Sequence, residues 1–455
     1  MRRRSFLGKI GGTFPYICLH PGKLAASQKL RVAAIGVGGK GGSDLQQLAR
    51  HGDLVAACDI SSKKINYALR DYPFAAKFSD YRKMISHMGD KIDVLGISSP
   101  DHTHAHAAQL AMNLGIHLFV QAPLAHTVWE VQQLVRGARK ANICTQVGMQ
   151  GWASDRFRQG VEYLQAGELG EIKEVHVWTN RPIWPQSPLI TERPDETHSV
   201  PEGLNWDCFI GPAESRPYHK IYQPYNWRGW RAFGSGALGD VGLHLLNLPV
   251  MGCGLSDVQK VNCLLQGPVN EETYQAWGIV KYEFTSPESE ALIPLFWYEG
   301  RIGNLSKTAT GKDNLPPAHL FLGRDRSANG CIIRGSRGSL YSPSLFGNKW
   351  EVHLGEKWLS PEELARPTSK LARNGRGDAG MKEELVRAIR SGKPGLALAN
   401  FEAVSRVNEL SMLGNISLVT GGTFDWNSDQ CSSNRKDVNR LVSKPYRQGW
   451  EVRSV

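Results

Sequence analysis

The stretch AAIGVGGKGGSDL, residues 33–45, spaces Gly36, Gly38 and Gly41 as G-x-G-x-x-G between an apolar run and a helix-period segment. The first glycine permits a tight turn, the second lets backbone approach a pyrophosphate, and the third lets helix and strand pack closely. Gly39 and Lys40 fall inside the turn, so Gly36 to Gly41 is the expected anion cradle, with the helix N-terminus facing the charge. Asp59 follows Gly36 by 23 residues, at the end of the next apolar run. A carboxylate there accepts hydrogen bonds from both ribose hydroxyls and repels a 2′-phosphate, which makes NAD the expected cofactor and NADP the less favoured one. Lys63 and Lys64 are the cations that could soften that repulsion. An ordinary glycine-rich turn is the alternative for the glycines alone, and Asp59 argues against it.

The elements that must position these groups follow from hydrophobic periodicity. The runs LRVAAIGV, LVAACD, DVLGISS, HLFVQAP and ICTQVGM read as strands, with helices beginning near Gly41, Ser62, Thr103 and Thr127. Continuous apolar strands alternating with helices predict a parallel sheet covered on both faces, a doubly wound α/β domain of Rossmann type over residues 29–151. Beyond Asp155, the runs GEIKEVHVWTN, GIVKYEF, LIPLFWYEG and GCIIRGSRGSLYS read as strands, the last a hairpin around Gly335 to Gly338. Strands without intervening helices predict a second, α+β domain over residues 152–455 with a mostly antiparallel sheet, its apolar face packed on helices or a partner subunit. Pro185 to Asn226, rich in Pro, Gly and aromatics, is too long for a plain connection and reads as a binding loop.

Composition narrows the class. A chain of 455 residues exceeds one ordinary domain. The net charge of +11 is spread without a Lys/Arg block, which suits acidic ligands better than nucleic acid or a membrane surface. The eight cysteines form no C-x-x-C pair, so neither a zinc site nor a disulfide framework is expected, and no metal is assigned. No apolar run approaches the roughly 18 residues of a membrane span. MRRRSFLGK resembles a twin-arginine export signal, with residues 1–28 as leader and KLAAS as a cleavage site, which predicts a periplasmic protein. Pro15 and His20 interrupt the apolar region, so a merely basic leader on a cytoplasmic protein is the alternative.

GISSPDHTHAHAAQLAMNLGIHLFVQAPLAHT, residues 96–127, resembles a segment of the glucose-fructose oxidoreductase/inositol dehydrogenase/MocA (Gfo/Idh/MocA) family. There a strand ending in Ser/Thr-x-Pro is followed by Asp-His-x-His and, after one helix, by Glu-Lys-Pro. The resemblance returns in GSGALGDVGLH, the family's glycine-rich segment with Asp-x-x-x-His, and in the closing KPYRQGWEV, similar to its exported bacterial sugar-type members. It covers essentially the whole chain and implies a Rossmann domain, a C-terminal domain on a large open sheet, a tightly held nicotinamide cofactor, sugar or cyclitol substrates and a homo-oligomer, dimer or tetramer. It assigns Ser98, Pro100, His104 and Gln121 to the cofactor side, near the nicotinamide ribose, and Asp240 with His244 to catalysis. Their i,i+4 spacing puts the pair on one helix face. A His beside a carboxylate takes the hydroxyl proton as hydride leaves the same carbon. Outside that family context, such a pair is by default a surface ion pair. His102 and His106 are expected at a helix end and on the surface, not as metal ligands.

The departures bear on activity. Gln121-Ala122-Pro123 stands where the family has Glu-Lys-Pro, so the lysine that touches the reacting hydroxyl is missing. In QVGMQGW, Met149 replaces the family's Asn and Trp152 stands where His is common. A positioned acid or base is worth about 10²- to 10⁴-fold, so its loss slows hydride transfer without necessarily abolishing it. Arg181, Trp184, Tyr225, Arg228 and Trp230, from TNRPIWPQ and YNWRGWRAFG, are expected near a sugar or sugar acid; core packing with ion pairs is the alternative for each. The favoured function is hydride transfer between NAD and a carbohydrate or cyclitol hydroxyl. A redox-neutral glycosidase working by oxidation, elimination and reduction is second, and a binding protein that has lost catalysis is third.

Overall fold

A computed structural model describes residues 29–286, 291–303, 312–365, 368 and 370–455. The expected leader, residues 1–28, lies outside them. The first domain is a six-stranded parallel sheet of β1 (Leu30–Ile35), β2 (Gly52–Cys58), β3 (Ala76–Phe78), β4 (Val94–Ile97), β5 (His117–Val120) and β6 (Thr145–Val147), ordered β3-β2-β1-β4-β5-β6. Its helices are α1 (Lys40–Ala49), α2 (Ser62–Ala68), α3 (Tyr81–Met88), α4 (His104–Met112) and α5 (Val128–Ala141). β4 and β5 are buried along their whole length, as continuous apolar runs require. The strand order reverses on either side of β1, and the crevice outside the carboxyl ends of β1 and β4 is where such sheets take ligands. Five of the strands match the apolar runs. β3 does not, because three residues with a lysine in the middle carry no readable period.

Beyond α6 (Asp155–Gln165), the second sheet has eleven strands among the described residues: β7 (Ile172–Thr179), β8 (Val258–Gln266), β9 (Trp277–Thr285), β10 (Leu292–Ile302), β11 (Lys312–Asp313), β12 (Asn329–Gly335), β13 (Gly338–Ser342), β14 (Glu351–Leu354), β15 (Lys357–Leu359), β16 (Thr423–Asn427) and β17 (Ser432–Ser433). Their order is β15-β14-β13-β12-β7-β10-β9-β8-β16-β17, with β11 on β10. β7 and β10 pair in parallel and the other neighbours antiparallel; β12 and β13 form the expected hairpin around Gly335 to Gly338. Four helices join the domains or cover the sheet: α7 (Trp206–Ile210), α8 (Leu243–Gly252), α9 (Gly377–Ser391) and α10 (Phe401–Thr420). α10 packs on both α5 and β8, so one apolar core runs through both domains. Among the described residues, no helix is long and apolar enough to cross a membrane.

The loop from Pro185 to Asn226 and the residues just beyond it build an aromatic cluster of Trp206, Phe209, Tyr222, Trp230 and Phe233. The loop is pinned to the first domain where Ser62 N donates to Gly203 O (2.8 Å) and Asn205 N to Ile60 O (2.8 Å). The surface expectation for His102 and His106 is overturned, since both are buried. α4 is covered almost all round, by the aromatic cluster on one side and the C-terminal segment on the other. His102 Nδ1 and Nε2 face the Phe233 and Phe209 carbonyls at 3.1 and 2.9 Å, and His106 Nδ1 meets the Tyr81 hydroxyl at 2.9 Å.

The last residues strap this arrangement. Gln109 exchanges two 2.7 Å hydrogen bonds with the Arg453 backbone. The Trp450 indole stands edge-on to Tyr81 and carries the Arg82 guanidinium 3.7 Å above its ring. Trp450→Ala is expected to lower stability by about 3–5 kcal/mol, the ordinary cost of deleting a buried aromatic ring. The denaturant midpoint reads this, and an unshifted midpoint refutes it.

Candidate active site

The glycine turn between β1 and α1 is built as a cradle. Gly36 has φ +74°, and a Cβ there meets the Ser98 and Ser99 backbone at 2.7 Å; one on Gly41 lands 1.8 Å from Gly36 O. The Lys64 stem lies over Gly38, so this lysine reaches the cradle from α2. Asp59 is preset by two backbone donors, Val37 N to Oδ2 (3.0 Å) and Ser61 N to Oδ1 (2.9 Å). Each oxygen keeps a free lone pair for a ribose hydroxyl. Asp59 opens onto a cleft of about 470 Å³ lined also by Lys77, Phe78 and Ser79 and closed by Leu204 and Asn205 of the long loop. A cradle without room for side chains, next to an oriented carboxylate in a cleft, fits a dinucleotide.

Lys40, Ser98 and Gln121, separate assignments in the sequence, converge on Asp44. This carboxylate is 2% exposed. Its Oδ2 accepts from Gln121 Nε2 (2.8 Å) and Ser98 Oγ (3.0 Å). Its Oδ1 pairs with Lys40 and, at 2.8 Å, with Lys382 of α9. Asp378, one turn before Lys382, closes the ring by taking Lys382 at 2.6 Å and Lys40 at 3.0 Å. Burial works against the Lys40 charge, but Asp44 and Asp378 outweigh it and hold its pKa above the usual value. The Lys382 ammonium also sits 4.4 Å from the Phe119 ring centroid. The pairs 40/44 and 378/382 are legible as i,i+4 spacings; their meeting, 338 residues apart in sequence, is not. Gly148 makes room for the Gln121 side chain, which occupies the place of its missing Cβ.

His104 corrects its assignment. Its ring is buried, with Nδ1 2.8 Å from Pro123 O and Nε2 2.7 Å from Ser99 O. Burial favours the neutral ring, whose single N–H donates to one of these two carbonyls, and both nitrogens point into the turns after β4 and β5 instead of toward a cofactor. Pro100 starts the short turn Asp101–Thr103. Ala122 is half-buried against the core, so the amines of this end of the sheet come from Lys40 and Lys382.

Asp240 lies in a π-turn, Leu238–Gly242, that runs into α8, which carries His244. Such turns recur at functional sites. The expected Asp240–His244 contact is not made through a hydrogen bond: Asp240 Oδ1 accepts from Arg228 Nε at 2.9 Å, whereas His244 Nδ1 is buried without a partner. The His244 ring stands edge-on to Phe346, 5.2 Å between centroids. Burial pushes its pKa down to about 4, with Asp240 working upward and Lys40 downward. Asp101, absent from the sequence-based candidates, is pushed up to about 7, first by burial, then by the charge of Asp240, with Arg228 opposing. A carboxyl near neutrality beside a second carboxylate is a proton-handling pair.

The Arg228 guanidinium lies 4.4 Å from the Tyr225 ring and 4.5 Å from the Trp227 ring. Tyr225 is exposed and meets Trp184 edge-on at 6.0 Å. Arg181 is half-buried just past β7. Trp230 corrects its assignment: it is fully buried, with Tyr222 4.6 Å away, and presents no surface to a ligand. Glu196, His198 and His219 bring ligand atoms within 4.8 Å of one another. However, the Nδ1 of each imidazole accepts a backbone N–H, leaving the proton on the nitrogen a metal would need.

Residues 30–149 match the oxidoreductase family's NAD-binding Rossmann fold, and residues 189–285 match its C-terminal alpha/beta domain, both of Gfo/Idh/MocA type. Inositol 2-dehydrogenase of Salmonella typhimurium is 29% identical over 153 residues, 32% of this chain and 45% of that protein. Levoglucosan dehydrogenase of Pseudarthrobacter phenanthrenivorans is 24% identical over 212 residues, 46% of this chain and 45% of that protein. A glycosyl hydrolase family 109 protein of Saccharopolyspora erythraea is 31% identical over 159 residues, 32% of this chain and 34% of that protein. The matches thus span less than half the length of these curated relatives. Among solved structures, a levoglucosan dehydrogenase in complex with NADH and levoglucosan shares the fold at TM-score 0.58 and 18% identity, covering 88% of this chain and 99% of that one. An oxidoreductase domain protein from Kribbella flavida does so at TM-score 0.59 and 19% identity over the same shares. Both domains of the Gfo/Idh/MocA family of oxidoreductases are thus matched in this chain, in the family's order, at residues 30–149 and 189–285.

Proposed function

We propose that the protein moves hydride between NAD and a hydroxyl-bearing carbon of a sugar, sugar derivative or cyclitol, with His244 as the proton acceptor. The observation that carries this reading is the His244 imidazole, buried with an unpartnered Nδ1 in the electrostatic field of both Asp240 and Lys40. NAD, when bound, supplies the hydride acceptor. Gly36 to Gly41 and Asp59 bind its pyrophosphate and ribose, and Gln121 with Ser98, fixed through Asp44, fills the nicotinamide end. Neutral at pH 7 because burial holds it near 4, His244 takes the hydroxyl proton, and Asp240 stabilises the imidazolium that forms. Arg228 orients Asp240 and, with Tyr225, offers a cationic and aromatic face to a polyhydroxylated ligand. Sugar- and cyclitol-named relatives support the substrate class. The half-exposed face of the second sheet supports a homo-oligomer.

A second reading, redox-neutral glycoside cleavage, is favoured by Asp101, whose carboxyl retains a proton near neutrality and can protonate a departing substituent. Family 109 glycosyl hydrolase relatives fit it. Oxidation at a ring hydroxyl acidifies the adjacent C–H, elimination releases the substituent, water adds back, and the hydride returns. Release of free sugar without net NADH selects this reading; steady NADH formation from a free sugar selects the first.

His244→Asn is expected to lower kcat by about 10²- to 10⁴-fold with little change in KM, measured as NADH absorbance at saturating substrate. An unchanged kcat removes His244 from the chemistry. In the pH profile, His244 is neutral above about 4 and Asp101 ionises only above about 7. A limb near pH 7 therefore belongs to Asp101 and disappears in Asp101→Asn, while a limb from His244 lies near pH 4. Ala122→Lys is expected to raise kcat by about 10-fold or more by restoring a cation at the reacting hydroxyl. Equal or lower turnover shows that the site has adapted to work without it.

A further inference from the structure

We infer that Lys444, in the C-terminal segment, and His126, just past the Gln121-Ala122-Pro123 turn, are positioning residues for the catalytic helix. Lys444 fixes which nitrogen of His126 carries the proton, and that proton holds the Gly234 carbonyl at the root of the segment delivering Asp240 and His244. The inference rests on the reading of Asp240 and His244 as catalytic.

The donor and acceptor geometry determines the tautomer. Glu130, fully buried at the start of α5, accepts from four donors: His126 N (3.0 Å) and Thr127 N (3.1 Å) on Oε2, and the Tyr446 hydroxyl (3.0 Å) and Lys444 Nζ (3.1 Å) on Oε1. Burial lowers the Lys444 pKa, and the charge and hydrogen bond of that carboxylate work against it to hold the ammonium in place. Nζ lies 2.9 Å from His126 Nδ1, and an ammonium only donates, so Nδ1 is the bare nitrogen. The proton is then on Nε2, which donates to Gly234 O at 2.8 Å. The charged and titratable groups facing this imidazole are Lys444, His102 and His104, with Glu130 behind its backbone.

The held carbonyl matters because of its neighbours. Three consecutive carbonyls are gripped from other segments: Phe233 by the His102 backbone N–H (3.3 Å), Gly234 by His126, and Ser235 by Asn415 of α10 (2.7 Å). Gly234 presses on Arg228 so closely that a Cβ sits 2.5 Å from the Arg228 Cα. Arg228 in turn holds Asp240. The path from the C-terminal segment to the catalytic carboxylate therefore runs from Lys444 through His126, Gly234 and Arg228. None of these residues lines the cleft at Asp59. A 1 Å displacement at its end is enough to cost about 10²-fold in rate.

The test uses the full-length protein with ¹⁵N-labelled histidine. In the wild type, His126 is expected to show a protonated Nε2 and a bare Nδ1 at neutral pH. Lys444→Met is expected to mix or invert that pattern and lower kcat by about 10- to 100-fold, with KM for NAD unchanged. Lys444→Arg, which keeps a cationic donor, restores both. A wild-type His126 protonated on Nδ1, or a Lys444→Met protein with unchanged tautomer and unchanged kcat, overturns the inference. The tautomer is read without turnover, so it stands or falls separately from the proposed reaction. An unchanged His126 spectrum in a Lys444→Met protein of merely lower melting temperature also counts against a positioning role.

Discussion

Asp44 is a carboxylate taken out of water, and it survives there only because four side chains, three of them from distant segments, reach it at once. An isolated buried charge is very costly, and breaking a buried ion pair by removing one partner costs about 3–5 kcal/mol. Ser98 at the end of β4, Gln121 at the end of β5, Lys40 in the glycine turn and Lys382 on α9 must therefore all be in place together. The ring they form with Asp378 has no net charge. It fixes the second domain's α9 against the carboxyl ends of the strands that carry the cofactor motifs. Positional precision at those ends is a consequence of satisfying Asp44.

A similar logic operates on the other side of the sheet. Glu130 is buried with no exposed surface, and its four donors draw the C-terminal segment, the turn after Pro123 and the N-terminus of α5 into one knot. The capping box of Thr127 and Glu130, a local helix-start device, is thus also the anchor for Lys444. α8, the helix that carries His244, packs on α6 and α10. Its own polar groups are left less satisfied: His244 Nδ1 and both polar atoms of Asn247, one turn later, are buried without partners. Unmet hydrogen-bonding capacity of that kind is costly for stability and is found where chemistry or ligand binding uses it.

The missing family lysine reads differently in this setting. Ala122 lacks the amine that the family motif has there, yet two lysines, Lys40 and Lys382, already crowd the same end of the sheet, and Lys40 is felt electrostatically by His244. An added cation at residue 122 enters a region whose charge is balanced by Asp44 and Asp378. Asp101, held protonated until about pH 7, adds a proton reservoir next to Asp240. The centre has fewer of the family's motif residues but no shortage of titratable groups.

The sequence by itself determined what local rules encode. The glycine turn, Asp59, the buried strands β4 and β5, the β12–β13 hairpin and the i,i+4 pairs all depend on neighbours within a few residues, where periodicity and steric fit are decisive. The Asp-x-x-x-His pair was legible as a spacing, and the family resemblance gave it a role. Only the tertiary structure decided which partners those groups have. Asp240 went to Arg228 instead of His244, His104 turned inward onto two carbonyls, Trp230 joined an aromatic core, and His102 and His106 were covered by segments more than a hundred residues away. Burial and charge pairing are properties of the assembled core, so the partners of Asp44, Asp101, Lys382 and Lys444 are decided only when the chain is folded, whatever local motif each residue sits in.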